Sequence, residues 1–189
     1  MYKIVAIMGK AGAGKDALLK ECLLLHSTCL HEIISCTTRP PREGEIEGVN
    51  YYYLTDEEFM ERLADDRMLE ATEFRKWHYG TSIEALDADK INIGVFNPAG
   101  VRILQSLKNV SVLPIYVDAN DKIRLLRQLN REENPDVAEI IRRFSTDEND
   151  FVDILYDTAP ITVTNNSNDG ISDVAAMVLI AINDFHWPD

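Results

Sequence analysis

A chain of 189 residues, 46% of them apolar, is long enough for one compact domain with its own core, and no apolar run approaches the roughly 20 residues that span a bilayer. A formal net charge of −13 argues against non-specific contact with nucleic acid. Cys22, Cys29 and Cys36 have neither C-x-x-C nor paired spacing, and no basic, cleavable leader pattern precedes the first strand, so reduced thiols in a soluble, cytoplasmic protein are the expectation.

KIVAIM (3–8) opens the chain as a buried strand, and GKAGAGKD (9–16) leads from it into a helix over 15–26. EIISCT (32–37) reads as the next strand. The alternation then breaks between 38 and 84, where a polar loop, YYYL, a short helix and MLEATEF suggest a small, partly antiparallel lobe; Thr55 and Glu58 form a capping box for that helix. INIGVF (91–96), a helix over 98–107 and VSVLPIYV (110–117) resume the pattern. Two charged helices follow, over 120–131 and 135–148, the second expected to start with Asn134 as N-cap and Pro135 at its first position. PITVT (160–164) and a helix over 171–184 close the chain. Near-continuous apolar strands between helices predict an α/β fold with a parallel sheet covered on both faces.

Residues 9–16 have the glycine spacing and lysine of a phosphate-cradling loop. Gly9, Lys10, Ala11, Gly12, Ala13, Gly14 and Lys15 lie between strand and helix, where backbone N–H groups and the helix dipole converge on an anion and Lys15 reaches the phosphates. Asp16 stands where a Ser or Thr normally lends a hydroxyl to Mg²⁺. Its carboxylate can ligate the metal or simply favour the helix N-terminus by its charge.

SCTTRPPREGEIEGVNYYYL (35–54) is the most specific stretch. Arg39 and Arg42 can grip a phosphate through forked, charge-assisted hydrogen bonds, Tyr51 and Tyr79 add phenol donors, and Glu45, three residues after Arg42, is placed to orient it. With Ser35, Thr38, Gly44, Gly48, Glu70 in MLEATEF and Tyr79-Gly80-Thr81, this stretch resembles the monophosphate lobe of guanylate kinases, and the resemblance runs from the phosphate loop to the terminal helix. It implies a P-loop kinase with a five-stranded parallel core (1–34, 85–123, 147–189), a monophosphate-binding lobe (35–84) and a helical lid (124–146). It implies that Ser35, Arg39, Arg42, Glu45, Tyr51, Glu70, Tyr79 and Thr81 bind GMP, with Glu70 accepting from the guanine N1–H and exocyclic amine and Thr81 meeting the carbonyl oxygen. The reaction implied is phosphorylation of GMP or dGMP by ATP with Mg²⁺.

Arg127 and Arg131 share a helical face, and Arg142 follows at the spacing of the family's lid arginines. The resemblance gives Arg131 and Arg142 a catalytic role beside Lys15 and Arg39, and places Arg127 nearer the adenine; Arg124 and Arg143 read as salt-bridged surface residues, and Trp77 and His78 as surface or lobe-packing ones. One departure stands out. Val95 and Asn97 occupy positions where the family has two aspartates, which suggests that Asp16 carries the displaced metal-binding carboxylate and that Asn97 keeps a neutral role near the nucleoside. The alternatives are a guanylate kinase-like binding module without catalysis and a kinase for another small phosphate ester. Partners beyond the two nucleotides, whether nucleic acid or membrane, are not expected, and no oligomeric state is set.

Overall fold

A computed structural model describes residues 1–42, 44–74, 76–131, 133–167 and 170–188. Its core is a parallel five-stranded sheet of β1 (Tyr2–Met8), β2 (Leu30–Glu32), β7 (Ile91–Val95), β8 (Val110–Asp118) and β9 (Ile161–Thr164), in the order β2-β7-β1-β8-β9. β1 is central, with Val5 set between Ile93 and Leu113. Ile4, Val5, Ala6, Ile7 and Met8 are all at 0% exposure, which explains a strand without polar alternation.

Successive side chains of β1 feed two different cores. Val5 and Ile7 pack with Leu18 and Cys22 of α1 (Lys15–Leu25) and Val174 and Val178 of α7 (Ile171–Asp184). Ile4, Ala6 and Met8 pack with Val101 and Leu104 of α3 (Pro98–Ser106), with Phe151, and with Ile154 of the short α6 (Ile154–Asp157). Burial pushes the Cys22 thiol up to about 12, and Glu21 adds to the shift, so this cysteine is inert packing. No helix among the described residues is long and apolar enough to cross a membrane.

A second sheet is inserted between β2 and β7. It comprises β3 (Cys36–Thr37), β4 (Tyr52–Tyr53), β5 (Met68–Phe74) and β6 (Trp77–Ser82), ordered β4-β3-β6-β5, with β3 parallel to β4 and β6 antiparallel to both its neighbours. The Thr55–Glu58 capping box starts α2 (Asp56–Ala64), whose fully buried Phe59 stacks on His78 at 5.3 Å. His78 is thus lobe packing, and its backbone is bonded by the side chains of both Thr37 and Thr38.

Two expectations need correction. The run 32–37 is not one strand: Ile33 makes its last core-sheet bond to the Ile93 carbonyl, and Cys36 joins the second sheet beside Gly80 and Tyr52. Ile33 and Cys36 are both buried but under different sheets, a distinction that apolarity cannot express. The second charged helix, α5, spans Val137–Asp150 and is capped by Asp136, whose carboxylate accepts from the Glu139 amide, rather than by Asn134. Asp-x-x-Glu is the better cap because the acidic pair also favours the positive helix end. The helix before it, α4, spans Asp121–Leu129.

Candidate active site

The phosphate loop joins β1 to α1. Gly12 and Gly14 have φ of 79° and 93°, and a Cβ on Gly12 would lie 2.4 Å from the Arg124 carbonyl oxygen, so both positions need glycine. Gly14 caps α1 with no side-chain hydrogen bond, which leaves the first-turn amides available to an anion. Lys15 Nζ donates to the carbonyls of Gly9 (2.8 Å) and Lys10 (3.2 Å). Desolvation lowers the Lys15 pKa; the negative charges of Asp16 and Asp147 oppose that fall, while Arg124 and Arg131 add to it.

Asp16 is exposed at the start of α1, and its carboxylate hydrogen-bonds to no other described residue. Its negative charge opposes the fall of the Lys15 pKa; the Tyr51 pKa is raised by burial first, with Tyr79 and Asp16 adding to it. The carboxylate sits in the first turn of α1, directly after Lys15. A hard oxygen donor at that place suits Mg²⁺ held jointly with phosphate oxygens. Among the described residues no cluster of three or more His, Cys, Asp or Glu could hold a metal by itself.

In the lobe, Arg39 is 8% exposed, and one of its nitrogens spans both carboxylate oxygens of Glu45 at 3.0 and 2.9 Å. Desolvation works against its charge, but Glu45 and Tyr79 outweigh it and hold the pKa above the usual guanidinium value. Glu45 also accepts from Tyr53 Oη at 2.9 Å and from the Arg42 backbone amide at 2.7 Å. Glu45 thus orients Arg39, and touches Arg42 only through its main chain, contrary to the sequence expectation. The Tyr51 and Tyr53 rings lie 5.6 and 6.0 Å from the Arg39 guanidinium.

The Arg42 guanidinium is exposed and hydrogen-bonds to no other described residue. Its pKa is lowered by desolvation first, then by the positive charges of Arg39 and Arg143. Ser35 contributes its carbonyl, which accepts from the Tyr52 amide.

Glu70 and Thr81 are buried side by side on β5 and β6, with Thr81 Oγ1 donating to Glu70 Oε1 at 2.9 Å. Burial raises the Glu70 pKa to about 7, against the smaller opposing effect of that hydrogen bond. Gly100 lets the carboxylate approach α3: a Cβ there would lie 3.0 Å from Glu70 Oε2 and 3.3 Å from Asn97 Oδ1. Asn97 is on the same wall but is occupied, capping α3 through the Gly100 amide (2.7 Å) and donating to Thr72 (2.8 Å).

The arginines divide by position. Arg131 is exposed, close enough to Lys15 to affect its charge, and its guanidinium hydrogen-bonds to no other described residue. Arg127 braces the loop, donating to the carbonyls of Gly12, Ala13 and Asn165 at 3.4, 3.4 and 3.1 Å. Arg142 is paired with Glu139 at 2.8 and 3.1 Å and donates to Thr146. Arg143 is half-buried and paired with Glu139. Arg124 is no surface residue: at 1% exposure it lies over the Phe144 ring and donates to the Ala11 carbonyl, because a guanidinium with carboxylate and carbonyl partners can be buried. Sequence reasoning missed Tyr53 and Asn165, the latter buried and donating to the Ala13 carbonyl. The Y-x-Y spacing of Tyr51 and Tyr53, whose rings lie 6.0 Å apart, could have revealed the first.

A guanylate kinase family model matches residues 1–179. A guanylate kinase of Campylobacter jejuni (strain RM1221) is 30% identical over 144 residues, covering 74% of this chain and 70% of that protein. A guanylate kinase of Synechococcus elongatus is 35% identical over 149 residues, covering 75% and 78%. The crystal structure of the guanylate kinase from Anaplasma phagocytophilum superposes with a TM-score of 0.65 over 96% of this chain and 85% of that one, at 19% identity, which is a likeness of fold.

Proposed function

This chain is a member of the guanylate kinase family, and we infer that it transfers the γ-phosphoryl group of ATP to GMP or dGMP. The observation that carries this reading is geometric: Lys15 lies against the carbonyls of the glycine loop that opens α1, Arg39 is held by both oxygens of Glu45 in the inserted lobe, and Glu70 is buried against Thr81 in that same lobe. An oxygen of the monophosphate attacks the γ-phosphorus, the bond to the β-phosphate oxygen breaks, and ADP departs. No general base is needed, because positioning and charge neutralisation supply most of the acceleration.

The loop amides and Lys15 hold the triphosphate, with Arg127 and Asn165 keeping the loop in shape. Arg39 and Arg42, with Tyr51 and Tyr79, hold the acceptor phosphate. Glu70 accepts from both donors of the guanine edge, whereas adenine would aim a lone pair at it. Arg131 stabilises charge on the group in transit, and Arg142 joins it on closure by exchanging Glu139 for phosphate. Mg²⁺ would be shared by Asp16 and the phosphate oxygens, where it neutralises their charge. The test is ADP release measured over all ribo- and deoxynucleoside monophosphates: turnover confined to GMP and dGMP is expected, and equal turnover of AMP would overturn the assignment.

A further inference from the structure

The mouth of the phosphate loop is occupied by the protein's own carboxylates. Asp147 Oδ2, on α5, accepts from the Ala11 amide at 2.6 Å, and the adjacent Glu148 takes the Lys10 ammonium at 2.6 Å. Arg124 binds the arrangement together. Its Nε donates to the Ala11 carbonyl at 3.1 Å, its Nη2 reaches Asp147 at 3.4 Å, and its Nη1 lies 3.6 Å from Glu148. Asp147 is also close enough to Lys15 to support its charge. An anionic oxygen on a loop amide, beside the loop lysine, is the chemistry a phosphate would supply.

We propose that Asp147 is a built-in competitor for the phosphate loop: a nucleoside triphosphate engages the Ala11 amide only by displacing this carboxylate, which sets the apparent ATP affinity and releases α5 to move. The inference rests on the loop's being the ATP site. Two anions cannot share one amide, and a triphosphate placed there repels Asp147 and Glu148 together. Arg124, fixed by Phe144 and Asp121, remains as the cation to which the displaced carboxylate returns. A fraction of molecules held in the occupied state weakens apparent binding by that fraction.

The experiment is calorimetric binding of ATP with Mg²⁺ to the parent protein and to Asp147→Asn, Asp147→Ala and Asp150→Asn. Asp150 lies near Asp147 on α5, so its variant removes the same charge without touching the loop. The expected result is an ATP affinity about three- to tenfold tighter in both Asp147 variants and nearly unchanged in Asp150→Asn. Glu148→Gln, which keeps Asp147, gives a smaller gain in the same direction should the Asp147 variants fold poorly. Unchanged or weaker affinity on removal of these carboxylates, or an equal gain from Asp150→Asn, overturns the competitor. Absence of ATP binding to parent and variants alike would instead overturn the ATP-site reading itself, and the competitor with it.

Discussion

The two regions proposed to bind phosphate are prepared in opposite ways. In the lobe, the carboxylate that accompanies the cations is spent on orienting them: Glu45 pairs with Arg39 and Tyr53, while the Arg42 guanidinium hydrogen-bonds to no other described residue. At the loop, the carboxylates lie on the Ala11 amide and the Lys10 ammonium. On the proposed function, an acceptor phosphate meets a cation already oriented by Glu45, while a triphosphate must rearrange what it meets. Preorganisation reduces the cost of binding, and an internal occupant raises it.

The comparison can be broken from either side. The largest effect is expected from Arg131→Met, which removes the cation near Lys15 that is free of internal partners among the described residues: kcat should fall about 10³-fold or more with little change in either KM. A fall of only a few-fold would take Arg131 out of the reaction and leave its role to Arg142. Glu45→Gln should come next. It leaves a nearly buried guanidinium without its counter-charge, so the KM for GMP should rise about 10²-fold while that for ATP stays within a few-fold. Equal loss for both nucleotides would mean that the lobe is not the separately prepared acceptor site described above. The smallest effect is expected from Asp16→Ala, which should raise the Mg²⁺ concentration for half-maximal rate about several-fold, because one oxygen ligand among several is lost. An unchanged Mg²⁺ titration would assign Asp16 to the helix dipole alone.

What could be read in the sequence was what lies close together along it. The loop, the Arg39–Arg42 segment and the Thr55–Glu58 cap are contiguous, and each carries its own spacing rule. Glu70 and Thr81 came from family resemblance, and their adjacency follows from the β5–β6 pairing of Glu70 with Thr81. The contacts that were missed are long-range. Asp147 meets Ala11 across 136 residues, and Asn165 meets Ala13 across 152, with no local pattern to mark either. Arg124 was misplaced because a charge on an amphipathic helix ordinarily faces water; only the fold shows that the phosphate loop lies above it. Nearness in sequence points Glu45 at Arg42, whereas chain geometry turns its carboxylate to Arg39.

Glu70 gives the most direct test of the acceptor site. Burial holds the pKa of the Glu70 carboxyl near 7, and on the proposed function the two donors of guanine need both carboxylate oxygens, so binding favours the ionised form. The sign follows. The folded protein keeps the Glu70 proton where an unfolded chain has released it, so its contribution to stability is lost as pH rises from the ordinary carboxylate range through about 7, while GMP affinity rises over the approach to 7. The measurement is GMP binding from about pH 6 to about pH 8 in the parent and in Glu70→Gln, the variant retaining whatever the titration of the phosphate itself contributes. The predicted result is an affinity gain in the parent about tenfold larger than in Glu70→Gln, with a midpoint near 7. Parallel profiles for the two proteins, with similar affinities, would show that the carboxylate does not read the base.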